Sequence, residues 1–267
     1  RGDGKLPKAW VFETGVNQWG RFDCWPPKEA KNAGLFLEER GKISRTRPST
    51  ERWEEYVSDP AKPVPYIGHV LMGMRYDYMT EDQRFAATRP DVLVFKTEPL
   101  DHDVTAAGPI AVDLKVSTSG TDSDFDVKLI DVYPADYPDS VANPSEPGAP
   151  VAARSLPANA VHLGGYQQLV RGEPFRGKYR KGLEKGVPFV PGRPERIAFQ
   201  MPDILHTFRT GHRIMVQIQS SWFPLTDRNP QTFVNIANAK STDFVKAAER
   251  VYLGGPQGSR VDILVLE

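Results

Sequence analysis

Prolines and glycines punctuate this chain from end to end, 24 of the one and 22 of the other in 267 residues. Spread in that way they chop it into short pieces, which suits a β-sandwich better than a helical fold. The pieces between them alternate. In Ile110-Ala-Val-Asp-Leu-Lys-Val116, the residues Ile110, Val112, Leu114 and Val116 share one face, the two-residue period of a half-buried strand. Residues 213–222, bounded by Gly211 and Pro224, turn Ile214, Val216 and Ile218 inward and Met215, Gln217 and Gln219 the other way. Residues 10–14, 18–22, 35–39, 91–97, 233–236, 250–253 and 260–266 add to an expectation of roughly a dozen strands. Only 241–249, with Ser241 or Thr242 as N-cap, reads as a helical turn or two. Residues 165–186 read as a basic, glycine-containing loop or hairpin, and 138–150 as a Pro-rich turn region.

Length and charge bound the rest. A chain of this size buries about three quarters of its unfolded surface, so it needs neither disulfide nor metal to be stable. Lys and Arg number 34, and so do Asp and Glu. Such a balance supplies no field to pull the chain onto a phosphate backbone, which argues against nucleic acid. A single cysteine, Cys24, excludes an intrachain disulfide and Cys-based zinc sites. No apolar run approaches the roughly 20 residues of a membrane-spanning helix. The chain opens Arg1-Gly-Asp-Gly4 without methionine or signal peptide, which reads as a cut end, not as an integrin-type tripeptide or a gene start.

The stretch Ser117–Pro134 carries Asp122, Asp124 and Asp126 at alternate positions after Gly120. An EF-hand loop starting at Asp122 requires glycine at its sixth position and glutamate at its twelfth. Val127 and Tyr133 stand there instead. The expectation is a turn running into a strand with a solvated edge, paired with 110–116 as a hairpin. A two-carboxylate surface site is the alternative.

Other chemistry is sparse. No Gly-x-Ser-x-Gly elbow occurs, so an α/β-hydrolase cannot be complete within these residues. His69, His102, His162, His206 and His212 have no metal-ligand spacing. His206 and His212 flank a turn; they could meet a carboxylate in space or simply fill a core edge. Arg171, Arg176, Lys178, Arg180, Lys181 and Lys185 form a basic run, read as a solvated loop ahead of a phosphate or acidic-partner site. Trp222 and Phe223 lead into a polar turn with Asp227, Arg228 and Asn229. Aromatics there either line a pocket or interface or plug the sandwich, and both readings stay open.

Several of these stretches resemble, together and in order, the C-terminal domain of the X-Pro dipeptidyl-peptidase and cocaine esterase (CocE/NonD) family. They are Asp91-Val-Leu-Val-Phe-Lys-Thr-Glu-Pro-Leu100, Val104-Thr-Ala-Ala-Gly-Pro-Ile110, residues 117–134, and residues 202–224 followed by Asp227-Arg-Asn-Pro230. The α-amino acid ester hydrolase and glutaryl-7-aminocephalosporanic acid acylase branch is the nearest in kind. The resemblance implies an all-β, jelly-roll β-sandwich similar to galactose-binding domains. It implies one such domain over 1–267, cut from a longer chain whose α/β-hydrolase domain lies upstream. No family catalytic residue falls on a position here, and no cofactor or metal is expected. Trp222, Phe223, Asp227, Arg228 and Asn229 are the expected roof or domain contact, because sandwich loops gather at strand ends. Periplasmic export is implied by the resemblance alone.

Two rival roles remain. One is a free-standing carbohydrate-binding jelly-roll module stacking sugars on Trp19, Trp25 or Trp53, for which only the fold argues. The other is an oligomerisation domain.

Overall fold

The computed structural model describes residues 6–70, 73–74, 77–139 and 162–266. The described residues form strands β1 (Ala9–Glu13), β2 (Gln18–Phe22), β3 (Lys31–Glu38), β4 (Lys42–Ser44), β5 (Arg52–Ser58), β6 (Leu93–Lys96), β7 (Val104–Thr118), β8 (Asp124–Val132), β9 (Gln167–Arg176), β10 (Glu195–Phe208), β11 (Arg213–Gln219), β12 (Ala247–Leu253) and β13 (Arg260–Leu266). One short helix, α1 (Arg84–Ala87), and a few 3-10 turns complete the regular structure. The chain is therefore all-β, as its punctuation requires.

β7 organises one layer. Its alternation runs unbroken through Ile110, Val112, Leu114 and Val116, all buried. β10 lies along one side of it, from Glu195 opposite Val116 to Phe208 opposite Val104. The other side is shared by β13 and then β12. β5 extends β12, and β3 extends β13. A second layer runs β6-β11-β8-β9. The two are joined through β4, which pairs with β3 and touches β6 at Lys42 opposite Lys96. Leu35, Val112, Leu114, Ile197 and Val261 from the first layer meet Phe95, Phe125, Val127, Leu129, Ile214 and Val216 from the second in one buried cluster. Each such side chain contributes about 1.5–3 kcal/mol by leaving water.

The outer face of the second layer is also covered. Residues 59–70, 77–92 and 220–231 cross it and are stitched together by backbone: Phe223 N–H donates to Val64 O (2.9 Å) and Tyr66 N–H to Phe223 O (2.9 Å). Gln83 N–H, at the start of α1, donates to Gln167 O on β9 (3.0 Å). Beneath this cover Tyr66, Ile67, Ile130, Leu169, Met215 and Trp222 form a second apolar cluster. β8 is thus closed to solvent on both faces.

Several local expectations fail. The stretch 110–116 does not make a hairpin with 124–132: β7 and β8 lie in different layers, and β8 pairs with β11 and β9. Two strands around a glycine turn pair by default, but here the turn carries the chain over the core instead. Residues 233–236 form no strand, and Ile236–Asn238 is a 3-10 turn. Of 241–249, only Ser241–Asp243 is helical, as a 3-10 turn, and β12 begins at Ala247. Residues 165–186 hold β9, which pairs antiparallel with β8. The stretch 140–150 of the Pro-rich region lies outside the described residues. β4, β5 and β10 lie outside the strands expected from the sequence. β10 reads poorly because Pro202 interrupts it, yet the ladder with β7 shifts register between Met201 and Ile204, and a bulge is where a strand tolerates proline.

Candidate functional site

The three alternating aspartates are buried, not a solvated edge. Asp122, Asp124 and Asp126 are each at most 5% exposed. They begin a polar seam under the cover of the second layer. β8 and β11 place Asp126 opposite Gln219 and Lys128 opposite Gln217, all on the outer face. Asn229 Nδ2 donates to Asp124 Oδ1 (2.8 Å). Thr118 Oγ1 donates to Glu249 Oε1 (2.9 Å). The Gln231 amide, oriented to suit its neighbours, donates to Glu249 Oε1 (3.1 Å) and Ser123 Oγ (3.1 Å) and accepts from Ser58 Oγ (2.9 Å). The hydroxyls of Tyr56 and Ser220 are 2.7 Å apart. Lys128 Nζ donates to Gln83 Oε1 (2.9 Å) and stands 4.5 Å above the Trp222 ring.

Taking charges out of water shifts their titration. Burial pushes Asp124 up to about 7 against the pull of Arg176 and Asn229. Burial pushes Glu249 up to about 8, opposed by the Thr118 and Ser123 hydroxyls. Asp126 rises well above the carboxylate range, first by burial and then by the neighbouring Asp124 charge. Neither Asp126 oxygen has a hydrogen-bond partner among the described residues. Burial brings Lys128 down to about 7, with Asp126 opposing. No group of three or more His, Cys, Asp or Glu able to hold a metal ion is found among the described residues.

A second polar cluster ties the N-terminal hairpin to the sandwich. His206 and His212 do meet a carboxylate. Asp131 lies 2.9 Å from His212 Nδ1 and 3.3 Å from His206 Nε2, and His206 Nδ1 reaches Thr14 Oγ1 at 2.7 Å. All three of Asp131, His206 and His212 are buried, so this chain of contacts joins elements and opens onto no cleft. His69, His102 and His162 form surface pairs with Glu81, Asp101 and Asp139. The basic run is not the solvated loop expected of it. Lys178 is buried and 3.4 Å from Asp122, and Arg180 donates to Val187 O (2.8 Å) and Pro188 O (2.9 Å) while lying 3.8 Å over Phe189. Arg171 donates to Asp203 O (2.9 Å), whereas Lys185 is exposed.

The expected contact loop divides. Trp222 and Asn229 are buried and brace it from below. Arg228 donates to Pro60 O (2.9 Å) and lies over the rings of Phe223 (5.5 Å) and Phe244 (5.2 Å). Phe223 and Asp227 face outward. Sequence reasoning missed Ser58, Gln83, Gln231 and Glu249. Their one sequence signal is the alternate polar pair Gln217 and Gln219 on an otherwise apolar strand.

These elements define an all-β sandwich with a buried polar seam. The chain belongs to the X-Pro dipeptidyl-peptidase C-terminal non-catalytic domain family, whose model matches residues 4–262. It is 40% identical to an aminopeptidase from a marine sediment archaeon, Thaumarchaeota archaeon, with a TM-score of 0.85 over 98% of this chain and 41% of that one. An α-amino acid ester hydrolase is also 40% identical, with a TM-score of 0.83 over 98% of this chain and 42% of that one. Cocaine esterase of Rhodococcus sp. (strain MB1 Bresler) is 29% identical over 271 residues, covering 98% of this chain and 42% of its own length. The chain spans about two fifths of the length of these relatives. The resemblance read from the motifs is therefore correct. Among the described residues no helix is long and apolar enough to cross a membrane.

Proposed function

We propose that residues 1–267 are the single C-terminal domain of a serine hydrolase whose α/β-hydrolase domain precedes them. The substrates are esters or amides of amino acids or short acyl groups. The observation that carries this is the near-complete coverage of this chain, at 40% identity, by an aminopeptidase and an amino acid ester hydrolase of more than twice its length. In the whole protein a serine–histidine–aspartate triad would transfer the acyl group through a serine ester. This domain supplies no triad member. It packs on the catalytic domain, and the 222–229 loop roofs the active site: Phe223 and Asp227 make the contact, and Trp222, Arg228 and Asn229 hold the loop in shape.

The test is the coding sequence upstream of Arg1 and the turnover of the full-length protein on amino acid esters and short peptides. A Gly-x-Ser-x-Gly elbow followed by Asp and His, with ester turnover, is the expected result. Phe223→Ala should then raise KM with little loss of stability. A reading frame without the elbow sinks the proposal.

A further inference from the structure

The hairpin of β1 and β2 is built inside out. Ala9, Val11, Glu13, Gly20 and Phe22 face the sandwich, while Trp10, Phe12, Trp19 and Arg21 alternate with them toward solvent. Trp10 is 49% exposed, Phe12 41% and Trp19 61%. The register sets Trp10 opposite Arg21 and Phe12 opposite Trp19, so the rings gather. Trp10 and Trp19 meet edge to face at 5.6 Å, Phe12 and Trp19 at 5.4 Å.

The turn end of the hairpin is tied to β10. Thr14 N–H donates to Leu205 O (3.1 Å) and Thr207 N–H to Thr14 O (2.9 Å), and the Thr207 hydroxyl donates to Glu13. At Gly15, with φ at +87°, an added Cβ would lie 2.1 Å from Thr207 O. These contacts fix the turn end of the hairpin on β10, with the aromatic face turned away from it. Packed aromatics beside an arginine are the composition of an interface anchor.

Building on the function proposed above, the geometry points to this face as the docking surface for the hydrolase domain that precedes it in the chain. Two observations select that occupant. The matched relatives carry three fifths of their length outside this domain, and the family is a C-terminal one, so that length comes before it. The family match begins at residue 4 and β1 at Ala9. Five residues reach at most about 18 Å fully extended, so the preceding domain is tethered beside the hairpin. A sugar is a poorer occupant. The rings stand at 66° and 69° to one another, and Arg21 lies 4.9 Å over Trp10, so they offer no flat open platform.

Trp53 on β5 is an internal reference, since it is 49% exposed and has Arg250 at 4.3 Å over its ring. Hydroxyl-radical footprinting should oxidise Trp10, Trp19 and Trp53 at similar rates in the 267-residue chain. In the full-length protein Trp10 and Trp19 should be protected several-fold while Trp53 is unchanged. The triple variant Trp10→Ser, Phe12→Ser, Trp19→Ser should split one thermal transition into two. Equal oxidation of all three tryptophans in a full-length protein that still turns over esters overturns this inference and leaves the proposed function standing. An upstream sequence without a hydrolase domain overturns both. Protection that appears in the 267-residue chain at high concentration, or only on addition of glycans, assigns the face to a second copy or to a sugar and overturns the inference.

Discussion

On its inner face β8 carries Phe125, Val127 and Leu129; on its outer face, one residue out of step, it carries Asp124, Asp126 and Lys128. All six are buried. The inner set is closed by the apolar side chains of β7, β10, β11 and β13. The outer set is closed by two irregular segments that bring Gln83, Asn229 and the Trp222 ring. Burial on the first face is driven by the loss of apolar surface from water. On the second it proceeds against the cost of dehydrating charge, which the neighbouring amides and the neutral forms of the acids reduce. The first face should therefore respond to volume and the second to pH.

Phe125→Ala should cost the most, about 3–5 kcal/mol of unfolding free energy in urea melts, because it opens a cavity in the main cluster. A loss below about 1 kcal/mol would break the claim that the inner face is close-packed. Asp131 is the charged member of the inner set of alternate residues. Asp131→Ala orphans donors on both His206 and His212 and should cost about 1–3 kcal/mol for each buried donor left unpaired. Circular dichroism melts alongside Phe125→Ala would rank the two.

The buried charges should write themselves into the pH profile, one from each layer: Glu249 on β12 and Lys128 on the outer face of β8. Glu249 has a folded pKa of about 8 against an ordinary 4.5. The folded state holds its proton longer, so this stability is full below pH 4.5 and is lost as pH rises toward 8, by up to about 1.4 kcal/mol per pH unit. Glu249→Gln should flatten that fall in a pH series of urea midpoints; an unchanged slope would refute the assignment. Lys128 runs the other way. Its folded value of about 7 lies below 10.5, so stability is present above 10.5 and is lost as pH falls toward 7. Lys128→Met should remove the rise between pH 7 and 10.5 in a pH series of urea midpoints; a rise that persists would refute the assignment.

The contrast also explains what could be read in advance. Ile214, Val216 and Ile218 announced β11 because a two-residue period is local. The aspartates of β8 misled for the same reason: polar alternation says solvent unless something distant covers it. The cover, residues 59–70, 77–92 and 220–231, is far away in sequence and has no period of its own. Trp222 could not be assigned to plug or contact from its flanking residues. Its place under Lys128 and against Gly172, where a Cβ would lie 2.7 Å from the ring, depends on three elements at once. The aromatic face of the hairpin was legible as a list of tryptophans but not as a surface, since only the register puts Phe12 opposite Trp19.

β7 carries a further consequence, in the order of events at the ribosome. One of its edges is closed by β10, which is made later, and the other by β13 and β12, which are made later still. Until those strands emerge, fifteen residues of strand present open backbone to any chain nearby, the situation that promotes edge-to-edge aggregation. A ribosome stalled before β12 should therefore hold a sticky nascent chain, not a half-built domain, and a chaperone bound over residues 104–118 would have to stay until synthesis reaches β13.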